Sequence, residues 1–236
     1  MGETQEVRLG VIARQLADGL LAILLAPACA SCREPLPSPT SGIVCDACWR
    51  AARAIAPPFF VPCVDACEAA GVYDGALRGI VHALKYQKRT SLARPLAALI
   101  VERCGNVFAG ADGIVPVPLH PSRQRQRGFN QAELIARALP LPCANVLERV
   151  RATPSQTDLP ADKRRENVRG AFAVRAVKWG RSPLLLGMQR KMVTVPISPI
   201  LIDDVATTGA TLSECARVLK EAGARDVRAV TVARAL

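Results

Sequence analysis

Two adjacent carboxylates followed by three threonines and a glycine are the residues best placed to do chemistry in this chain. They lie in Ile200-Leu201-Ile202-Asp203-Asp204-Val205-Ala206-Thr207-Thr208-Gly209-Ala210-Thr211. The apolar triplet predicts a buried strand, and the small or hydroxylated residues after the acids lead straight into a helix. Amide groups at a helix N-terminus, supplemented by threonine hydroxyls, favour a phosphate, and Gly209 allows close backbone approach. Carboxylates do not help a phosphate, so Asp203 and Asp204 make sense as acceptors for ribose hydroxyls or as ligands of Mg2+. Helix capping accounts for one Asp or one Thr, not for the whole set.

Two basic segments complement this window. The stretch Val115-Pro116-Val117-Pro118-Leu119-His120-Pro121-Ser122-Arg123-Gln124-Arg125-Gln126-Arg127-Gly128-Phe129-Asn130-Gln131 follows a short strand. In an extended loop Arg123, Arg125 and Arg127 would line one edge, and guanidinium groups suit multidentate phosphate oxygens. The second segment runs from Gln156-Thr157 through Lys163-Arg164-Arg165-Glu166-Asn167-Val168-Arg169-Gly170-Ala171-Phe172. Taken alone, either is also explained as a solvated basic face.

Cys29-Ala30-Ser31-Cys32 and Cys45-Asp46-Ala47-Cys48 are two Cys-x-x-Cys knuckles separated by twelve residues. Four thiolates so spaced can close a tetrahedral Zn2+ site and fold a proline-rich segment too poor in apolar residues to fold alone. The rival, a redox pair, belongs in a thioredoxin-like βαβ context that these residues lack. Cys63 and Cys67 have the spacing of a further half-site without a second pair. Nine cysteines cannot all pair as disulfides, which favours a reducing, cytoplasmic setting.

The 236 residues fit one domain of about 150 residues plus an appendage, divided here at 1–68 and 69–236. Half of the residues are hydrophobic and few are aromatic, which suits buried aliphatic strands. Leu9, Ile12, Leu16, Leu20, Ile23 and Leu24 recur at helical spacing and predict an amphipathic helix that packs on the protein. The apolar run 20–26 is too short to span a membrane, and Glu3, Glu6 and Asp18 speak against a signal peptide. Helices are expected over Gly75 to Gln87, around Leu92 to Ile100, over Gln131 to Leu139 and over Thr211 to Ala222, the last capped by Gly223. Strands are expected at Gly113 to Leu119, Asn145 to Arg149, Ile200 to Asp203 and Val227 to Val232. Such alternation implies an α/β fold, a doubly wound parallel sheet with ligands at the carboxyl ends of its strands. The net charge of +11 calls for an anionic partner: a phosphorylated metabolite, nucleic acid or an acidic surface.

The window 200–211 resembles the phosphoribosyl pyrophosphate (PRPP) motif of type I phosphoribosyltransferases. Together with Tyr73-Asp74-Gly75, Leu84-Lys85-Tyr86, Arg127 to Gln131, Gln156-Thr157 and Arg164 to Phe172, the chain from Cys29 onward closely resembles the ComF/GntX (competence protein F-like) family. That resemblance implies a type I phosphoribosyltransferase-like domain preceded by a zinc ribbon. It implies catalytic roles for Asp203, Asp204 and Arg164, with the two acids on the ribose hydroxyls. Ala206, Thr207, Thr208, Gly209, Ala210 and Thr211 would wrap the 5′-phosphate, and Arg123, Arg125 and Arg127 would face the pyrophosphate. Gln156 to Phe172 would be a hood that excludes water. Cys29, Cys32, Cys45 and Cys48 would hold structural Zn2+, and Mg2+ would accompany PRPP.

Two activities follow from the resemblance. One is phosphoribosyl transfer to an acceptor. The other is non-enzymatic handling of single-stranded DNA during uptake, with a helicase as partner and PRPP as regulatory ligand. The low aromatic content weighs against a base-stacking platform. Lys178 to Pro199 departs from the family, where a short turn would lead into the strand. Only four residues follow Val232, so a C-terminal hood over a nucleobase is not expected and no acceptor is assigned.

Overall fold

Why the apolar runs of this chain become strands is clearest in the computed structural model, which describes residues 15–21, 23–24, 27–38, 40, 42–52, 56–57, 59–152, 163–175 and 197–236. The strands are β1 (Ala66–Val72), β2 (Gly113–Pro116), β3 (Leu147–Arg149), β4 (Phe172–Val174), β5 (Pro199–Ala206) and β6 (Arg228–Arg234). Four of them form a parallel sheet in the order β1-β6-β5-β2, and β3 and β4 make a separate antiparallel ribbon.

Successive side chains of a strand point to opposite faces, and both faces of this sheet are buried. Ile114, Ile200, Ile202, Val230 and Val232 join one core, while Val115, Leu201 and Ala229 join the other. The first core is closed by α2 (Gly75–Tyr86), α3 (Ala93–Cys104) and α5 (Gln131–Ala136), which follow α1 (Asp46–Ala51) and α4 (Pro121–Arg127) in the numbering used here. The second core is closed by α7 (Ala210–Glu221) and by β3, β4 and α6 (Lys163–Val168). Leu77, Ile80 and Leu84 of α2 are at most 1% exposed, and each such side chain contributes about 1.5–3 kcal/mol.

Of the expected strands, 113–119, 200–203 and 227–232 lie in the sheet with shifted ends, whereas 145–149 is shortened to β3 and pairs antiparallel with β4 outside it. β5 continues to Ala206, so the acidic pair lies within the strand rather than just after it. β2 stops at Pro116, although the Val117 amide still donates to the Ile202 carbonyl at 2.9 Å. Gly223 takes up φ +99° just beyond α7, as a C-terminal cap should. Most of the 178–199 stretch lies outside the described residues.

β1 begins at Ala66, close to the expected division between residues 68 and 69. Two expectations are corrected. Residues 121–127 form a helix rather than an extended loop: Pro121 presets its first turn, the Ser122 amide is capped by His120, and Gly128 ends it at φ +83°. Finally, residues 15–21 and 23–24 are helical, but Leu16, Leu20, Ile23 and Leu24 are 60–83% exposed. Asp18 is buried instead, its carboxylate accepting the Thr40 amide at 2.8 Å, which turns the polar side of the helix inward. No helix of the described residues is long and apolar enough to cross a membrane.

Candidate functional site

β2 and β5 are neighbours, yet the helices after them pack on opposite faces, α5 in the first core and α7 in the second. A crevice therefore opens outside their carboxyl ends, the usual ligand position of an open α/β sheet. Asp203, Asp204, Thr207 and Thr211 line it from the β5 side, and Val117, Pro118 and Leu119 from the β2 side. Ala206 and Ala210 are buried in the second core, so they shape the loop rather than face the crevice. The Thr208 hydroxyl is buried with no hydrogen-bond partner among the described residues. Gly209 sits at φ +72°, and a Cβ there would come within 2.6 Å of Val61 Cγ2. The crowding that requires glycine is thus with the segment before β1, not only with a ligand.

The two carboxylates differ. Asp203 Oδ1 accepts the Asp204 amide and Asp204 Oδ1 accepts the Val205 amide, each at 2.8 Å. Asp204 Oδ2 meets the Lys85 ammonium at 2.8 Å, with the two side chains only 5% and 15% exposed. Burial, and then the charge of Asp204, push the Asp203 carboxyl up from the ordinary aspartate value. Burial alone would lower Lys85, but Asp204 and, less strongly, Asp203 hold it above the usual lysine value. A Mg2+ ion bound directly to Asp204 would have to displace an ammonium already in contact, so the acidic pair does not fit a resident Mg2+.

The helical form of α4 separates the three arginines. At 3.6 residues per turn, Arg123 and Arg127 share a face that lines the crevice, whereas Arg125 points away and is exposed. Arg127 lies 5.1 Å from the Tyr86 ring centroid and donates to Gln131 Oε1 at 3.1 Å. Asn130 is buried, donating to the Val117 carbonyl at 3.0 Å while capping α5 through the Ala132 amide. The Arg-Gly-Phe-Asn-Gln block thus fixes the floor of the crevice as well as its charge. The Arg164 side chain lies outside the described residues, as do residues 153–162. The end of the second basic segment is anchored: the Gly170 amide donates to Glu214 of α7 at 2.7 Å, and Phe172 is buried.

Sequence reasoning assigned no role to Tyr73, Lys85, Gln131 or Arg149, all of which line the crevice. Arg149 is 8% exposed, and its guanidinium stands 5.2 Å from the Phe172 ring. A charged residue ending a short strand was the available signal. A larger, mainly apolar hollow runs along β1 past Phe60, Val64, Cys67 and Cys104, away from these converging polar groups.

The cysteines form a second site. The sulfurs of Cys29, Cys32, Cys45 and Cys48 lie within 4.8 Å of one another, and Cys32 and Cys45 are 3.8 Å apart. A Zn–S bond of about 2.3 Å in a tetrahedron requires sulfurs about 3.8 Å apart. Cys29 Sγ accepts the Ser31 and Cys45 amides at 3.4 and 3.3 Å. Burial raises the Cys29 thiol, but these amides and that of Cys32 outweigh it and bring the pKa down to about 6, the thiolate side that a metal needs. Cys63 and Cys67 are outside the cluster: Cys63 is exposed, and burial pushes the Cys67 thiol up to about 12. The module docks on α2, where the Ser31 hydroxyl donates to the Ala76 carbonyl at 3.0 Å and leaves no room for a Cβ at Gly79.

These features define a mixed α/β protein with a parallel sheet and a four-cysteine cluster consistent with a zinc ribbon. No protein-family model matches the chain. It is 33% identical over 174 residues to the DNA utilization protein YhgH of Salmonella typhi, covering 70% of each chain. It is 32% identical over 175 residues to competence protein F of Haemophilus influenzae, covering 70% of this chain and 71% of the relative. Against competence protein ComFC of Streptococcus pneumoniae the identity is 33% over 120 residues, 51% of this chain and 47% of that protein. The chain belongs to the ComF family.

Proposed function

We propose that the crevice at the ends of β2 and β5 binds PRPP, on a domain of type I phosphoribosyltransferase kind. The observation that carries this reading is the convergence of acidic and basic residues on one crevice: Asp203 and Asp204 at the end of β5, with Arg123, Arg127 and Arg149 lining the same crevice. A ribose has hydroxyls for the carboxylate, and a pyrophosphate has oxygens for the guanidinium groups. The loop from Ala206 to Thr211 offers amides and hydroxyls for the 5′-phosphate. Any Mg2+ belongs with the pyrophosphate that it accompanies. In transfer, an acceptor lone pair would bond to the ribose C1 as the C1–O bond to pyrophosphate breaks, and Arg164 would join the site from the hood. Zn2+ at the four cysteines fits a cytoplasmic, reducing setting.

Calorimetric titration with PRPP, ribose 5-phosphate and pyrophosphate separately is the test. PRPP is expected to bind at least tenfold more tightly than either part, since it alone engages the acidic strand end and the basic helix together. Equal affinity for pyrophosphate would reduce the crevice to a general anion site.

The names of the relatives favour a second role, in DNA handling. With a net charge of +11, the protein is expected to bind single-stranded DNA with an affinity that falls steeply with salt. Reversing the charge of Arg123 and Arg125 is expected to reduce the log–log salt slope by about 1 for each phosphate no longer neutralised. Absence of binding at low salt would remove direct DNA contact from the account.

A further inference from the structure

The cation nearest the acidic pair belongs to the protein. Lys85 occupies the last turn of α2, whose first turn is held by Ser31 of the cysteine module. Its ammonium reaches the crevice and contacts Asp204 Oδ2, while Asp204 Oδ1 is already used by the Val205 amide. Asp203 has one oxygen taken by a main-chain amide, and its side chain neighbours that of Asp204 with no ammonium in contact with it among the described residues. The two neighbouring carboxylates therefore do different work.

We infer that Lys85 is a binding-site residue, the standing counter-ion of Asp204, which keeps the acidic pair from collecting a free divalent cation and leaves Asp203 as the acceptor for ligand hydroxyls. Mg2+ seeks carboxylate oxygens with room for its own waters. An ammonium at hydrogen-bonding distance occupies one of those oxygens and repels a second cation from the other carboxylate. A divalent ion would then arrive with a diphosphate ligand and leave with it. The assignment of that ligand rests on the PRPP reading; the exclusion of the free ion does not.

Mn2+ binding to the full chain with its cysteine-bound metal in place, followed by electron paramagnetic resonance without any nucleotide or sugar, separates the two. The parent is expected to show no Mn2+ site that is removed by Asp203→Asn, a change that leaves the Lys85–Asp204 pair in place. Lys85→Gln is expected to bind Mn2+ at least tenfold more tightly than the parent, a gain abolished by adding Asp204→Asn. Lys85→Arg keeps the charge and is expected to behave like the parent. An Mn2+ site in the parent that depends on the acidic pair overturns the inference, and so does unchanged Mn2+ affinity in Lys85→Gln. The parent arm needs no Lys85 variant, so it decides even if Lys85→Gln fails to fold. If PRPP does not bind at all, these outcomes keep their meaning for Lys85.

Discussion

Serine in place of Cys32 or Cys45 is expected to strip the protein of zinc and to unfold the segment around it. Metal analysis of the purified parent should find about one Zn2+ per chain, and either variant should retain almost none. The size of the effect comes from the coupling of metal binding to folding: structural Zn2+ sites contribute about 10–16 kcal/mol in isolated peptides. The segment has little to replace that with. Cys29, Leu36, Val44, Cys48 and Ala52 are its buried contributions to the first core, with Ile43 and Trp49 partly buried beside them, and two amide bonds are made to the Cys29 sulfur itself. Because Ser31 holds the first turn of α2, loss of the metal should also loosen the helix that carries Lys85. Unchanged zinc in both variants would place the metal elsewhere. Cys63 and Cys67 are poor alternatives, one exposed and one buried as a neutral thiol.

Local features were the ones legible in the sequence. The apolar triplet at 200–202, the small residues after it and the amphipathic pattern of 211–222 identified β5, its loop and α7, because each depends on neighbours in sequence. The cysteine spacing identified the cluster for the same reason. β1 was hidden: Ala66-Cys67-Glu68-Ala69-Ala70-Gly71-Val72 has little intrinsic strand preference, and pairing with β6 is what makes it a strand. α4 has no apolar periodicity, although Pro121 and Gly128 marked both of its ends. Its helical form changed the site, moving Arg125 out of line with Arg123 and Arg127.

Lys85 was not legible either, since only the packing of α2 on the sheet brings it to Asp204. The N-terminal helix shows the reverse failure. Its leucine spacing is regular, but one hydrogen bond from the Thr40 amide to the buried Asp18 carboxylate decides which side faces the protein. Gly209 was singled out for close approach to a phosphate; the crowding with Val61, which lies far away in sequence, was not legible there.

The lysine contact also changes how the acidic pair must be tested. Removing the charge of Asp204 leaves a buried ammonium without its partner, at a cost of about 3–5 kcal/mol in comparable pairs. Asp204→Asn therefore confounds folding with binding. Asp203 has no ammonium in direct contact among the described residues, and asparagine keeps its shape, so Asp203→Asn disturbs the folded protein less and reads the ligand contact more directly. Above about pH 8, where the raised Asp203 carboxyl is ionised, a hydrogen bond to it contributes about 1.5–3 kcal/mol, and two ribose hydroxyls facing it place the expected loss near a hundredfold at about 1.4 kcal/mol per tenfold. Calorimetric titration of PRPP with Mg2+ into the parent and Asp203→Asn, with circular dichroism showing an unchanged fold, tests the central claim most directly. The account predicts tight binding to the parent and about a hundredfold weaker binding to the variant. Equal affinity of the two proteins for PRPP would contradict it.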